Sequence, residues 1–524
     1  IVVTPENNFR EYTVNDFSNI GCIEIEDLTI EPKENELCRI FHLTLSVHSK
    51  QNVLDSIKVL EEREDIYCVE PNYLISMNDI SSNAKSRTIT QTFPDIIDLN
   101  EAWDIETGSS NISVGVIDTG IDVSHSNLAN RVNQTLSKNF VDESNSATSN
   151  LVSDHGTVVA GIIAGNGNNN LGIAGVCKNV NLISLRVDSL NEDGELVYNS
   201  SAIISAISYA DEIGIDILNF SAGSYENDIL WTPMMLHQII AYDGLFVCSA
   251  GNGNINTDNT GHYPSTFRLQ NLISVGASTA NDGKYADSNY GKTTVDIFAP
   301  GEDVYTTTFN GNYISVCGTS VASPIVAGVA VLLLSAHPEL TATELKSTIM
   351  TSVDTIYNNG TNVFENLCVS GGRINACKAL TNDSIHNYSC VDTNDHKTHV
   401  YSCTGCGYTK EGNHSITCNS MDSIAHQYSC SECSYTRNQN HAMIYENENS
   451  SAHNYKCSIC NYIVQQAHTL KYSSISSRQH KVSCIYCDFN YTENHSLNLL
   501  TGKCKVCGYD SNGMGTLNRL LGLL

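Results

Sequence analysis

Basic residues are scarce in this chain: 28 Lys plus Arg stand against 57 Asp plus Glu in 524 residues, a formal net charge of −29. An excess of this sign repels phosphate backbones and anionic lipid surfaces, which argues against nucleic acid as a partner. The chain also lacks any run of 18 or more apolar residues, so composition offers no membrane span and the expectation is a soluble protein. Nothing near Ile1 reads as a basic start followed by an apolar stretch, so any signal peptide is expected to have been removed. Aromatic residues make up only 7%, yet the hydrophobic share of 41% is ample for a globular core.

A chain of 524 residues exceeds what one core usually holds, and three segments are expected: 1–92, 93–380 and 381–524. In the first, Leu37 to Leu45 alternates like a strand. Val53, Ile57 and Leu60 form the stripe of an amphipathic helix, and Ile66 to Ile75 reads as a second strand. Residues 76–92 carry no apolar period and read as an exposed linker. The leader is therefore expected to be a small α+β domain.

The middle segment alternates strand-like runs (112–117, 180–187, 215–220, 244–248, 272–275 and 295–298) with helical ones at 158–164 and 202–213. The strand-like runs are apolar on both faces, which predicts an α/β fold with a doubly wound, mostly parallel sheet covered by helices. In such sheets function collects at the carboxyl ends of strands. Asp118 stands at one such end, in Val116-Ile117-Asp118-Thr119-Gly120. His155 opens a small-residue helix in Asp154-His155-Gly156-Thr157. Ser320 lies in Gly318-Thr319-Ser320-Val321-Ala322-Ser323-Pro324, where a loop runs into an apolar helix and Pro324 is expected in the first turn. A lone serine there is ordinarily an N-cap. Together the three residues offer a nucleophile, a base and a carboxylate to orient it, in the chain order Asp, His, Ser.

These three motifs resemble the signatures of the subtilisin-like serine peptidases. The resemblance implies Ser320 as nucleophile, His155 as general base and then acid, and Asp118 as the group that orients the imidazole. It further implies Asn252, in Ser249-Ala250-Gly251-Asn252-Gly253, as an oxyanion donor. Ser221, Ala222, Gly223, Ala250 and Gly251 resemble the family's substrate-binding backbone, where an extended peptide would add as a strand. Their small side chains suggest an open P1 pocket. Asn168 to Gly175 resembles the family's calcium loop and implies Gly167, Asn169, Leu171 and Ile173 as oxygen donors, although Asn127 stands where an Asp ligand is usual. The leader, ending Val69-Glu70-Pro71-Asn72-Tyr73, resembles the inhibitory propeptide of the same family, which implies an intramolecular inhibitor cut off within 76–92. Cys177, Cys248 and Cys317 read as buried, inert thiols.

Beyond residue 380 a 27-residue repeat appears, His-x3-Cys-x2-Cys-x7-His. It comprises His399, Cys403, Cys406 and His414; His426, Cys430, Cys433 and His441; His453, Cys457, Cys460 and His468; and His480, Cys484, Cys487 and His495. A degenerate copy starts at His386 and Cys390, and Cys504 with Cys507 ends the array. Each unit supplies two thiolates and two imidazoles, the ligand set of a closed tetrahedral zinc site, with neighbouring repeats as a further source of ligands. The competing reading is Cys-x2-Cys disulfides with surface histidines.

The expectation is thus a secreted or cell-surface serine endopeptidase made as a zymogen, acting on proteins or peptides and carrying a tail that serves as a stalk or adhesion module. Calcium and zinc are its expected metals. Two rivals remain: a processing peptidase dedicated to one peptide or proprotein, and an inactive scaffold or adhesin on the same fold.

Overall fold

A computed structural model describes residues 2–5, 11–29, 39–76, 81–82, 91–141, 148, 153–167, 173–191, 193–225, 233–386, 388–392, 398–404, 408–476, 478–496 and 503–507. The chain divides into two compact units, Ile1–His386 and Asn387–Leu524.

In the first unit the leader forms a four-stranded antiparallel sheet in the order β2-β3-β1-β4, from β1 (Val2–Pro5), β2 (Cys22–Asp27), β3 (Phe41–Leu45) and β4 (Ile66–Glu70). Helix α1 (Lys50–Glu61) is capped by Ser49, whose side chain accepts from the Asn52 N–H at 3.2 Å. Its Ile57 and Leu60 pack with Phe17, Phe41, Leu43 and Ile66 in a small core. The run from Ile66 to Ile75 is two strands rather than one. Pro71 has no N–H to give a ladder and restricts the residue before it, so β4 stops at Glu70. After Pro71 the chain leaves the leader's sheet as β5 (Leu74–Ser76), and β6 (Ser81–Ser82) follows.

The body is built on a seven-stranded sheet in which every pairing is parallel. Its strands are β7 (Ser113–Asp118), β8 (Lys138–Asn139), β9 (Asn181–Arg186), β12 (Ile217–Phe220), β14 (Leu245–Ser249), β16 (Leu272–Ser278) and β17 (Ile297–Pro300), in the order β17-β16-β14-β12-β7-β9-β8. Outside the sheet lie β10 (Asp188–Leu190), β11 (Leu196–Asn199), β13 (Ser224–Tyr225), β15 (His262–Tyr263), β18 (Val304–Thr307) and β19 (Tyr313–Cys317). Every residue of β7, β12, β14, β16 and β17 is buried, because helices cover both faces. Helices α2 (His155–Ala164) and α4 (Thr319–Ala336) share a core with Val114 and Val116 of β7. Helix α3 (Ser200–Glu212) meets Ile117 from the other side. The strand order turns back at β7, so its last residue, Asp118, lies at the switch point where open α/β sheets gather their ligands.

Among the described residues only α4 is long and apolar enough to cross a membrane, and 89% of it is buried inside the protein. It begins at Thr319, which puts Pro324 in the second turn and not the first. A proline there has no N–H for the Ser320 carbonyl four residues earlier.

In the second unit the repeat is a three-stranded antiparallel meander, seen four times with central strands Thr398–Cys403, Ala425–Cys430, Ala452–Cys457 and Gln479–Cys484. Each central strand carries a buried histidine and ends on a buried cysteine.

Candidate active site and metal centres

The site assembles at the carboxyl ends of β7 and β14 and the amino ends of α2 and α4. His155 Nδ1 lies 2.8 Å from both Asp118 oxygens, with both side chains almost wholly buried. Asp118 Oδ1 also accepts from the Thr119 N–H at 2.7 Å and from the Tyr198 hydroxyl at 3.2 Å, so the carboxylate is held by three donors. Close approach makes this arrangement possible. A Cβ on Gly156 would lie 3.2 Å from the Asp118 Cβ and would clash with the Gly120 carbonyl, and Gly120 itself has φ +84. Burial alone would lower the His155 pKa, but the Asp118 charge and hydrogen bond outweigh it and hold the imidazole above its ordinary value.

His155 Nε2 and Ser320 Oγ are both buried and have no hydrogen-bond partner among the described residues. They stand on α2 and α4, which pack against each other. Beside them the Asn252 amide is oriented by Thr319, whose N–H and hydroxyl both donate to Asn252 Oδ1 at 2.9 Å. The Thr319 hydroxyl in turn accepts from the Gly251 N–H at 3.1 Å. With its oxygen engaged, the Asn252 side chain keeps its N–H groups on the side of Gly318, where a Cβ would come within 3.1 Å of Nδ2.

Ser221, Ala222 and Gly223 follow β12, and the Ser221 hydroxyl lies 2.9 Å from that of Ser323 on α4. Ala250 and Gly251 follow β14, with the Ala250 carbonyl bonded by Asn289 Nδ2 at 2.7 Å. The ring of His262 lies against both of these backbones. A Cβ on Gly223 would lie 2.8 Å from His262 Nε2, and one on Gly251 would lie 2.7 Å from the same atom. Sequence reasoning missed both Tyr198 and His262. Each meets the site through contacts with residues distant in the chain, and neither stands in a motif.

The extended segment that adds to the body is the leader's. β5 pairs antiparallel with β11, Leu74 opposite Asn199 and Ser76 opposite Val197, and β6 pairs with β19, Ser81 opposite Cys317. Asn72 caps α3 from outside: its Oδ1 accepts from the Ser201 N–H at 2.9 Å and its Nδ2 donates to the Ser201 hydroxyl at 2.7 Å.

Residues 109–371 match the subtilase family. The chain belongs to it. Among curated relatives, this subtilase is 34% identical over 345 residues to the thermophilic serine proteinase of Bacillus sp. (strain AK1), covering 64% of this chain and 79% of that one. It is 33% identical over 291 residues to thermitase of Thermoactinomyces vulgaris, covering 55% and 94%. A solved structure of MycP1 with its N-terminal propeptide removed aligns over 56% of this subtilase and 98% of that chain, with a TM-score of 0.46 and 21% identity. The protein is thus a subtilisin-like serine protease, a hydrolase, on the doubly wound α/β fold.

Of the calcium residues, Asn169 and Leu171 lie outside the described residues, while Gly167 and Ile173 are described. The Ile173 carbonyl accepts from Asn127 Nδ2 at 2.9 Å, and Asn127 Oδ1 accepts from the Tyr313 hydroxyl at 2.8 Å. An amide donor therefore already occupies that carbonyl.

The tail regroups the repeat's cysteines and histidines. Its four clusters are His399, His414, Cys430, Cys433; His426, His441, Cys457, Cys460; His453, His468, Cys484, Cys487; and His480, His495, Cys504, Cys507. Each takes two histidines from one repeat and two cysteines from the stretch that follows, so the grouping within single repeats is corrected. A repeat's own histidine and cysteines belong to different clusters because the meander turns them toward opposite neighbours. Cys403 joins none of the four, and Cys406 lies outside the described residues. None of the described tail cysteines is joined in a disulfide, and Cys504 and Cys507 complete the last cluster.

Distances within the clusters fit one ion. Zn–N near 2.0–2.1 Å and Zn–S near 2.3 Å give tetrahedral edges of about 3.4 Å between nitrogens and about 3.6 Å between nitrogen and sulfur. The second cluster has His426 Nδ1 to His441 Nδ1 at 3.4 Å, Cys457 Sγ to His426 Nδ1 at 3.7 Å and Cys460 Sγ to His441 Nδ1 at 3.4 Å. The third and fourth repeat these values within 0.1 Å. His441, His468 and His495 give their Nε2 hydrogens to the carbonyls of Asp422, Asn449 and Ser476, leaving the Nδ1 lone pair for a ligand.

Proposed function

We propose that this subtilase is an endopeptidase made as a zymogen, in which Ser320 attacks the scissile carbonyl and forms an acyl-enzyme. His155 Nε2 takes the hydroxyl proton and returns it to the leaving amine, while Asp118 holds Nδ1–H and stabilises the imidazolium. The Asn252 side-chain N–H and the Ser320 backbone N–H bind the oxyanion. A water molecule, activated by the same imidazole, then hydrolyses the ester. The observation that carries this reading is the buried Asp118–His155 pair whose remaining nitrogen, like Ser320 Oγ, has no partner among the described residues, beside an asparagine already oriented by Thr319.

The leader is read as the enzyme's own inhibitor, with domain boundaries at 92 and 380. Its support is β5 on β11, the strand that carries Tyr198 and hence touches Asp118, and β6 on β19, which leads to Ser320. Residues 77–80 connect these two pairings. The intact masses of wild type and Ser320→Ala, prepared in parallel, test the reading. Loss of a segment ending within 76–92 in the wild type alone is the expected result; identical masses, cut or whole, would reject self-processing. Release outside the producing cell suits an enzyme so restrained. Digestion of an unrelated protein such as casein separates a general endopeptidase from a dedicated processing enzyme.

The four tail clusters are read as zinc sites that join each repeat to the next. Zinc there closes the coordination shell and supplies structure, not chemistry. The calcium reading rests on Gly167, Asn169, Leu171 and Ile173, and an ion at Ile173 would have to displace the Asn127 amide.

A further inference from the structure

On the proposed mechanism Asn252 and the start of α4 receive the acyl oxygen, and Gly223 and Gly251 lie in the two stretches that resemble the family's substrate-binding backbone. Gly251 is the residue before Asn252 and donates to Thr319, the residue before Ser320. Gly223 is two residues from Ser221, whose hydroxyl reaches Ser323 on the same helix. On that reading a substrate side chain next to the scissile carbonyl enters between these two glycines.

We propose that the His262 ring closes this gap at its floor, so that the enzyme cuts after glycine, alanine and serine and rejects large P1 side chains. The inference rests on the protease reading above. His262 is wholly buried, and a Cβ on either wall would fall within 2.8 Å of its Nε2, so the imidazole spans the space between the walls.

The ring is fixed in place. Ser265 gives its hydroxyl hydrogen to the His262 carbonyl at 2.7 Å, so its oxygen accepts from His262 Nδ1–H at 2.9 Å. Tyr225 stands edge-on to the ring at 5.0 Å between centroids, and β13 pairs with β15, Tyr225 opposite His262. Moving the imidazole aside would break this ribbon. Burial also pushes the His262 pKa down to about 3, so the floor is neutral at working pH and offers no cation to an acidic P1 residue.

The test uses the processed enzyme and peptide p-nitroanilides that differ only at P1, alanine against phenylalanine, with His262→Gly alongside the wild type. Removing the ring should raise kcat/KM for phenylalanine by ~10-fold or more while alanine stays within about threefold, the scale expected when a hydrophobic pocket gains room. In case the variant does not fold, the termini released by the wild type from denatured casein give an independent readout, and small P1 residues should dominate them. A wild type that cuts after phenylalanine, leucine or tyrosine as readily as after alanine overturns the proposal. Labelling of Ser320 by a fluorophosphonate separates the two readings. Labelled enzyme with bulky P1 cleavage rejects only the closed gap, whereas no labelling rejects the protease reading and this inference with it.

Discussion

At Asn252, one side-chain oxygen is held by two donors from Thr319, so the amide reaches the reaction already oriented. Electrostatic stabilisation of this kind acts only once charge develops on the substrate oxygen. Asn252→Ala should therefore lower kcat by about 10²- to 10³-fold with little change in KM, measured on a peptide anilide. On the proposed mechanism His155 sets the acid limb of activity. Its Asp118 partner raises the imidazole pKa against the opposing effect of burial, and the neutral ring is the form that accepts the Ser320 proton. As pH falls through that raised value kcat/KM should drop, with the midpoint above the ordinary histidine pKa. Asp118→Asn removes the charge, so its residual activity should lose the acid limb at lower pH than wild type. An unshifted limb in the kcat/KM profile would separate Asp118 from the titration.

Elements carry the next level of control. β5 and Asn72 tie the leader to the body at β11 and at the first turn of α3, whose N–H groups have no partner within their own helix. Losing such a cap costs about 1 kcal/mol, or roughly fivefold in an equilibrium constant. Asn72→Ala in the full chain should hasten the appearance of activity after refolding by about that factor, and an unchanged lag would mean that the cap does not hold the leader. The strands of the parallel sheet were legible because both faces are buried and the runs are continuously apolar, as in Ile217–Phe220. Asp118, His155 and Ser320 were legible because each lies in a local turn whose glycines and small residues are themselves part of the geometry. Pro71 was visible but its consequence was not: it hands the chain from one sheet to another, which depends on a partner more than a hundred residues away. Tyr198 and His262 escaped for the same reason, since their neighbours in space carry the meaning.

At the scale of the whole molecule, the chemistry and the tail answer to different treatments. The four clusters of two thiolates and two imidazoles among the described residues should give at least about four zinc ions per full chain by elemental analysis. Short meanders with little apolar interior need such links, so chelation at neutral pH should unfold the Asn387–Leu524 unit while Ser320 still reacts with a fluorophosphonate. Replacing Cys457 and Cys460 with serine should remove one ion and leave peptide hydrolysis unchanged. Oxidised Cys-x2-Cys pairs and no zinc would refute the metal reading. Within the clusters Cys430 is held down to about 5, backbone N–H groups at Glu432 and Cys433 and the His414 and His399 rings overcoming the burial that would raise it.

Because a cysteine meets a histidine 31 residues earlier in three of these clusters, no cluster can close while its second half is still inside the ribosome. The tail must therefore lock one step behind its own synthesis, each meander waiting with two open imidazoles for the thiols of the next. A chain stopped partway would end in an unfinished half-site able to capture the thiol pair of another copy.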